Sequence, residues 1–116
     1  MNLETLLSLI KNNPDDIKFN DVITLINQQY RYTPTQFNNG LAEHKITNEA
    51  GTNEGSCKVF AFASMIGLSK EDTLHCFGHY YRDDVLSNPQ ATDHANIRTF
   101  MRFGWKGIHF EGAALS

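Results

Sequence analysis

The chain has 116 residues, of which 41% are hydrophobic and 20% are charged, and its formal net charge at pH 7 is −3. This length and composition predict one globular domain over residues 1–116, with enough apolar side chains for a single core. The weakly acidic balance, without a clustered basic stretch, argues against nucleic acid and against an anionic membrane surface as partners.

The N-terminus has no basic segment followed by an apolar run, so the sequence shows no cleavable secretory signal. No apolar stretch reaches the ~18 residues that a transmembrane helix needs. The two cysteines, Cys57 and Cys76, are too few for a disulfide framework, and Cys76 is expected in the core. The expected location is the bacterial cytoplasm, and the alternative is a secretion route that cleaves no signal peptide.

Two amphipathic helices are predicted near the N-terminus. The first has Asn2 as its cap and ends at residues 12–15, and its apolar stripe is formed by Leu3, Leu6, Leu7 and Ile10. The second ends before Pro34, and apolar residues recur in it at the same spacing (Phe19, Val22, Ile23, Ile26 and Tyr30).

Residues 32–56 are rich in glycine and asparagine and poor in apolar side chains. We predict an irregular segment with two short strands, near Gln36–Asn38 and Lys45–Thr47. A loop of this length inside a small domain is uncommon and is often functional.

Two further helices are predicted after this segment. The third begins with Ser56 as its cap and stops at Gly67, a residue typical of helix C-termini. The fourth begins with Ser69 as its cap, has two acidic residues in its first turn, and ends before Pro89.

A fifth helix is predicted from Thr92 and Asp93 to Gly104, and residues 108–110 alternate as a short strand does. The predicted fold class is mainly α, or α+β. It has about five helices around one core, with a small β element formed by the middle loop and the C-terminus. The predicted core consists of Leu6, Ile10, Phe19, Val22, Ile26, Phe60, Ala63, Leu74, Phe77, Tyr81, Ile97, Phe100, Met101 and Trp105.

Cys57 is a candidate nucleophile, because a thiol in the first turn of a helix has its thiolate stabilised by the helix dipole and its pKa lowered. A catalytic cysteine also needs an imidazole, and His94 is the main candidate, with His79 as an alternative. The start of this helix resembles that of papain-like enzymes, but the chain has too little strand for their sheet. A nucleophile, an anion site and a well-capped core helix all remain open.

A zinc site is weighed because His75 and His79 are four residues apart and Asp83 continues the row. No glutamate follows His75 directly to act as a base, and any polar outer helix face has the same pattern. We therefore expect no metal and no cofactor.

Charged and amide side chains cluster in two further places. Arg82 is expected to pair with Asp83 or Asp84, or with Glu54. The start of the fifth helix carries His94 and the polar side chains Asn96 and Arg98. A guanidinium suits a carboxylate or phosphate, so these three side chains are expected to line a pocket.

Several segments, in this order, resemble the HopJ type III effector family, over nearly the whole chain from about Phe19 to Leu115. The matching segments are Tyr32–Pro34, Phe37–Gly40, Gly51–Lys58, Thr73–Leu74, Cys76–Gly78, Tyr80–Leu86, Asp93–His94, Asn96–Arg98, Phe100, Gly104–Trp105 and Gly107. One departure is His79, where an acidic residue is common in the family, and this argues against a required zinc pair.

The resemblance is to a family of type III effectors, which enter host cells through a secretion apparatus, and it implies no established enzymatic activity. We expect a binding or interaction module whose polar cleft is formed by Asn53, Glu54, Ser56, Arg82, Asp83, His94, Asn96 and Arg98. The expected partner is an unknown protein or a small anionic ligand. The alternatives are a small hydrolase or transferase that uses Cys57, and a purely structural polar network.

Overall fold

The computed structural model describes all residues from 1 to 116. Its helices are α1 (Leu3–Asn12), α2 (Phe19–Gln29), α3 (Glu54–Ile66), α4 (Lys70–His75), α5 (Ala95–Phe103) and a π-helical segment (Tyr80–Val85). Its strands are β1 (Phe37–Asn39), β2 (Ile46–Asn48) and β3 (His109–Phe110), and short 3₁₀ turns lie at Pro14–Asp16, Ala42–His44 and Gly104–Gly107. The predicted mainly α class with a small β element is confirmed.

The first two helices begin and end close to the predicted positions. Asn2 caps α1, because its Oδ1 accepts the N–H of Thr5 at 2.8 Å. Leu6 is fully buried, whereas Leu3 and Leu7 stay partly in solvent, so the apolar stripe of α1 is narrower than predicted. No helix of the chain combines the length and the apolar character needed to cross a membrane.

The middle segment and the C-terminus form one antiparallel sheet, as predicted. β1 is its central strand, and Phe37 is paired with Asn48 of β2 and with Phe110 of β3. A second connection joins Tyr32 to Leu115 as an isolated antiparallel bridge. Both predicted middle strands exist, each displaced by one residue toward the C-terminus.

Helix α3 begins at Glu54, two residues before the predicted cap. Asn53 is the N-cap residue, in the left-handed conformation with φ 48°, and its side chain makes no capping bond. The expected capping role of Ser56 is therefore wrong, since this residue lies inside the first turn. Gly67 ends the helix with φ 75°, as predicted.

The predicted fourth helix is divided in two. α4 ends at His75, the chain turns at Gly78, and the π-helical segment follows. Gly78 has φ 59°, and a Cβ there would lie 2.7 Å from the backbone N of Phe19. This close approach to the start of α2 needs a residue without a side chain and ends the regular helix. His75 and His79 consequently do not share the face of one helix.

Helix α5 begins at Ala95 rather than at Thr92 and Asp93. His94 is its N-cap residue, with a left-handed φ of 53° and no side-chain capping bond. The helix ends at Gly104, as predicted, and it buries Asn96, Ile97 and Phe100.

The core is built around Phe60, near the middle of α3. Its ring centroid lies 4.8 Å from that of Phe100, 5.4 Å from that of Phe77 and 5.9 Å from that of Phe37. α3 is buried on nearly all sides, as expected of a central helix. Cys76 is buried, as predicted. Buried hydrophobic residues that were not predicted in the core are Ile17, Leu25, Phe37, Cys57, Val59, Ala61, Phe62, Val85, Ala114 and Leu115.

Candidate functional site

A recess of about 410 Å³ lies where the starts of α3 and α5 meet. Its lining residues are Phe19, Ile46, Asn53, Gly55, Ser56, Phe77, Tyr80, His94, Ala95, Asn96 and Ile97. None of them is an aspartate, a glutamate, a lysine or an arginine. The volume is in the range of pockets that hold small organic molecules.

Four of the eight predicted binding residues line this recess. They are Asn53 and Ser56 from the start of α3 and His94 and Asn96 from the start of α5. The other four, Glu54, Arg82, Asp83 and Arg98, do not line it.

Backbone N–H groups from both helix starts are free at the recess. Those of Gly55 and Ser56 in α3, and of Ala95 and Asn96 in α5, donate to no acceptor in the protein. Neither helix has a side-chain cap that would accept a hydrogen bond from these N–H groups. The positive ends of two helix dipoles therefore meet at one recess, an arrangement that favours negatively charged groups.

Aromatic rings form the apolar part of the recess. Phe19 stacks on Phe77 with a centroid distance of 6.3 Å and meets the ring of Tyr80 edge-on at 5.1 Å. The ring of Tyr80 lies 5.2 Å from that of His94. A bound molecule thus meets apolar surface beside the polar helix starts.

His94 is held by a carboxylate that the sequence analysis did not select. Its Nε2 lies 3.0 Å from Oδ2 of Asp84, and 3.8 Å from Oδ2 of Asp93. Asp83, which was selected, is exposed and forms no ion pair or side-chain hydrogen bond. Asp84 reaches His94 because the π-helical turn changes which residues face α5, and the sequence carries no clear signal for such a turn.

Four asparagine side chains form a hydrogen-bond network that reaches the recess through Asn53 and Asn96. Asn96 Nδ2 donates to Asn48 Oδ1 at 2.9 Å, and Asn48 Nδ2 donates to Asn96 Oδ1 at 3.1 Å. Asn53 donates to Asn48 Oδ1 at 2.7 Å, and Asn39 donates to Asn96 Oδ1 at 3.0 Å. The network joins the sheet to both helix starts. The unusual density of asparagine in residues 38–53 was its only signal in the sequence.

Arg82 has a structural role different from the predicted ion pairs. Its Nη1 donates to the carbonyl oxygen of Pro14 at 3.2 Å and its Nη2 donates to that of Ile17 at 2.6 Å. It therefore binds the π-helical segment to the turn before α2, and the predicted pairing with Asp83, Asp84 or Glu54 is wrong.

Arg98 holds the loop before α5 in place with three hydrogen bonds. It donates to the carbonyl oxygens of Asp93 and Asn88 at 2.6 and 2.9 Å, and to Oδ1 of Asp93 at 2.8 Å. The hydrogen bond from Arg98 lowers the pKa of Asp93. The guanidinium that was expected to bind an anion is occupied by the protein.

Cys57 lies away from the recess, with 1% of its surface exposed. Its Sγ donates a weak hydrogen bond to the carbonyl oxygen of Thr35 at 3.6 Å. Burial raises the pKa of the thiol above its ordinary value, contrary to the lowered pKa that was expected. Burial of the Tyr32 side chain, together with its contact with Glu54, likewise raises the pKa of this neighbouring tyrosine. The expected pairing of a reactive Cys57 thiolate with His94 is not formed.

The two histidines of the zinc hypothesis contact different tyrosine rings. The ring of His75 meets Tyr81 edge-on at 5.8 Å, and that of His79 lies 4.2 Å from Tyr80. No three histidine, cysteine or carboxylate side chains in the chain are grouped so that they could hold a metal ion.

Comparison with known proteins identifies the family. A model of the HopJ type III effector protein family matches residues 3–115. The chain belongs to this family. Among solved structures, the HopJ domain is similar to a crystal structure described as the unknown-function protein VPA0580, with 45% sequence identity and a TM-score of 0.92. The match covers 100% of this chain and 93% of that chain. No curated protein matches this chain.

Proposed function

We propose that this HopJ domain is a binding module and that the recess between α3 and α5 takes a small organic anion. The observation that carries the proposal is the convergence of two uncapped helix starts on one recess with no acidic lining residue. Their free N–H groups suit the oxygens of a carboxylate or phosphate. The rings of Phe19, Phe77 and Tyr80 suit an apolar body attached to it.

The two carboxylates beside His94 both have partners. Asp84 is bound to His94, and Asp93 is bound to Arg98 at 2.8 Å. The guanidinium of Arg98 reduces the repulsion that Asp93 would exert on an incoming anion. The asparagine network, meanwhile, holds the two helix starts in position before a ligand arrives, which limits the entropy lost on binding.

A cysteine-dependent hydrolase or transferase has weaker support. Its nucleophile would be Cys57, whose thiol is buried and points to Thr35. A purely structural role describes Arg82 and Arg98 well, but it does not account for the free N–H groups of the recess. The two roles are compatible, because the structural contacts position the elements that form the site.

Titration with phenylacetate, followed by amide NMR, tests the proposal. We expect the largest shifts at the N–H groups of Gly55, Ser56, Ala95 and Asn96. Shifts confined to other surfaces, or none at millimolar ligand, would contradict the proposal.

The variant Ser56→Asp tests the same proposal, because it places a carboxylate in the recess. An acid in the first turn of a helix does not weaken the helix, so the fold should be preserved. Affinity should fall at least about fivefold, since like charges ~4 Å apart repel by roughly 1–4 kcal/mol between water and a protein surface. Ser64→Asp adds the same charge to an exposed position of α3 away from the recess, and should bind normally.

We also infer from the family description that this protein is delivered by a type III apparatus. An epitope-tagged protein expressed in a strain with a type III apparatus, and in a mutant of that strain without it, tests this. Export in the first strain alone is the expected result. Equal amounts in the two culture media would contradict it.

A further inference from the structure

One side chain of the recess has its hydrogen-bonding state set by a residue outside it. Oδ2 of Asp84, from the π-helical segment, lies 3.0 Å from Nε2 of His94. An ionised carboxylate only accepts hydrogen bonds, so a neutral His94 carries its proton on Nε2. The other ring nitrogen, Nδ1, then has a free lone pair and no partner in the protein.

We propose that Asp84 is a positioning residue that makes His94 a hydrogen-bond acceptor, so that the recess selects a hydroxy acid. The inference rests on the proposed function, because it takes the anion as bound at the two helix starts. The free N–H groups donate to the carboxylate oxygens of the ligand. Nδ1 of His94 accepts the hydrogen of a hydroxyl group next to that carboxylate.

The position of the imidazole is strongly constrained. His94 is the N-cap residue of α5, and its ring lies against that of Tyr80, with centroids 5.2 Å apart. The second nearby carboxylate, Oδ2 of Asp93, also lies on the Nε2 side, at 3.8 Å. Both acidic groups thus favour the same tautomer, and neither competes with a ligand for Nδ1.

Nitrogen NMR of the imidazole tests the tautomer without any ligand. In mildly alkaline buffer we expect the wild-type His94 to carry its proton on Nε2. In Asp84→Asn the carboxylate charge is gone and the amide can donate to Nε2 as well as accept from it, so a larger share of the proton should lie on Nδ1 than in the wild type. Asp83→Asn is the matched control, because Asp83 is exposed and makes no contact with His94, and it should behave as wild type. A wild-type proton on Nδ1 would overturn the inference.

A pair of ligands tests the selection itself. Mandelate and phenylacetate share a carboxylate and a phenyl ring and differ by one hydroxyl group. We expect the wild type and Asp83→Asn to bind mandelate at least about fivefold more tightly, the value of one net hydrogen bond. Asp84→Asn should show a smaller preference and still bind phenylacetate.

The outcomes separate this inference from the proposed function. Equal affinity of the wild type for the two acids would overturn the inference and leave the proposed function standing. Failure of the wild type to bind either acid would overturn both. A preference as large in Asp84→Asn as in the wild type would show that the hydroxyl group is recognised by another residue, and would also reject the role of Asp84.

Discussion

Asn48 and Asn96 pair their side-chain amides in both directions, at 2.9 and 3.1 Å, although they lie in a strand and a helix far apart in the sequence. Both side chains are buried. A buried amide that loses its partner keeps its desolvation cost without compensation. This pair therefore links the sheet to the start of α5, and through Asn53 to the start of α3.

Replacing either member of the pair should destabilise the fold. We expect Asn48→Ala and Asn96→Ala each to lower the free energy of unfolding by about 1–3 kcal/mol, because the remaining amide is left unpartnered. The double variant should lose less than the sum of the two, by ~0.5–3 kcal/mol. Denaturant unfolding measures all three. Asn27→Ala, on the exposed face of α2, should change the stability by less than about 0.5 kcal/mol. Strict additivity would contradict the direct coupling.

Arg82 should stabilise the fold through its two hydrogen bonds to backbone carbonyls more than through its charge. Arg82→Ala leaves the carbonyl oxygens of Pro14 and Ile17 without their donors, at a cost of about 1–3 kcal/mol in the free energy of unfolding. Arg82→Lys should recover only part of this, because one ammonium cannot reproduce two donors in a planar fork. Thermal melting and denaturant titration measure the effect. Arg31→Ala is the control, since that exposed side chain has no hydrogen bond, and an equal loss there would exclude a specific role for Arg82.

Both native cysteines should react slowly with a thiol reagent. Burial raises the pKa of Cys57, and it raises the pKa of Cys76 to about 12. The folded protein should therefore be labelled only as fast as it opens, whereas both thiols react at once in denaturant. Peptide mass spectrometry assigns the labelled sites. Ser64→Cys adds an exposed thiol to the same helix as an internal reference. Labelling of native Cys57 as fast as this reference would revive the nucleophile hypothesis.

The ion pair of Asp93 and Arg98 should make stability depend on pH in the acid range. Arg98 lowers the pKa of folded Asp93 below its ordinary value of 3.8. Its contribution is therefore complete above that value and is lost as the pH falls through the lowered pKa of the folded state. Asp93→Asn should be less stable than wild type near neutral pH, and the difference should shrink below pH 3.8.

Urea unfolding over a pH series measures this difference. Asp83→Asn, an exposed carboxylate without a partner, should show a difference from wild type that stays nearly constant over the same range. A constant difference for Asp93→Asn as well would show that the pair does not act through charge.

Local patterns in the sequence predicted most of the helices. Apolar spacing located α1 and α2, Ser69 marked the start of α4, and Gly67 and Gly104 marked the ends of α3 and α5. These signals depend on residues within one or two turns of each other, so they can be recognised without knowing the fold. The family was likewise recognisable from short segments spread over the chain.

The composition of the recess depended on contacts between distant segments. Asp84 rather than Asp83 meets His94 because the approach of Gly78 to Phe19 ends α4 and starts a π-helical turn. Arg82 and Arg98, which look like ligand-binding residues in the sequence, are bound to backbone carbonyls that only the folded chain brings near them. The pKa of the Cys57 thiol depends on the same packing, since burial is the largest influence on it and raises it. Burial and long-range hydrogen bonding are properties of the packed chain, whereas helix periodicity and caps are properties of neighbouring residues.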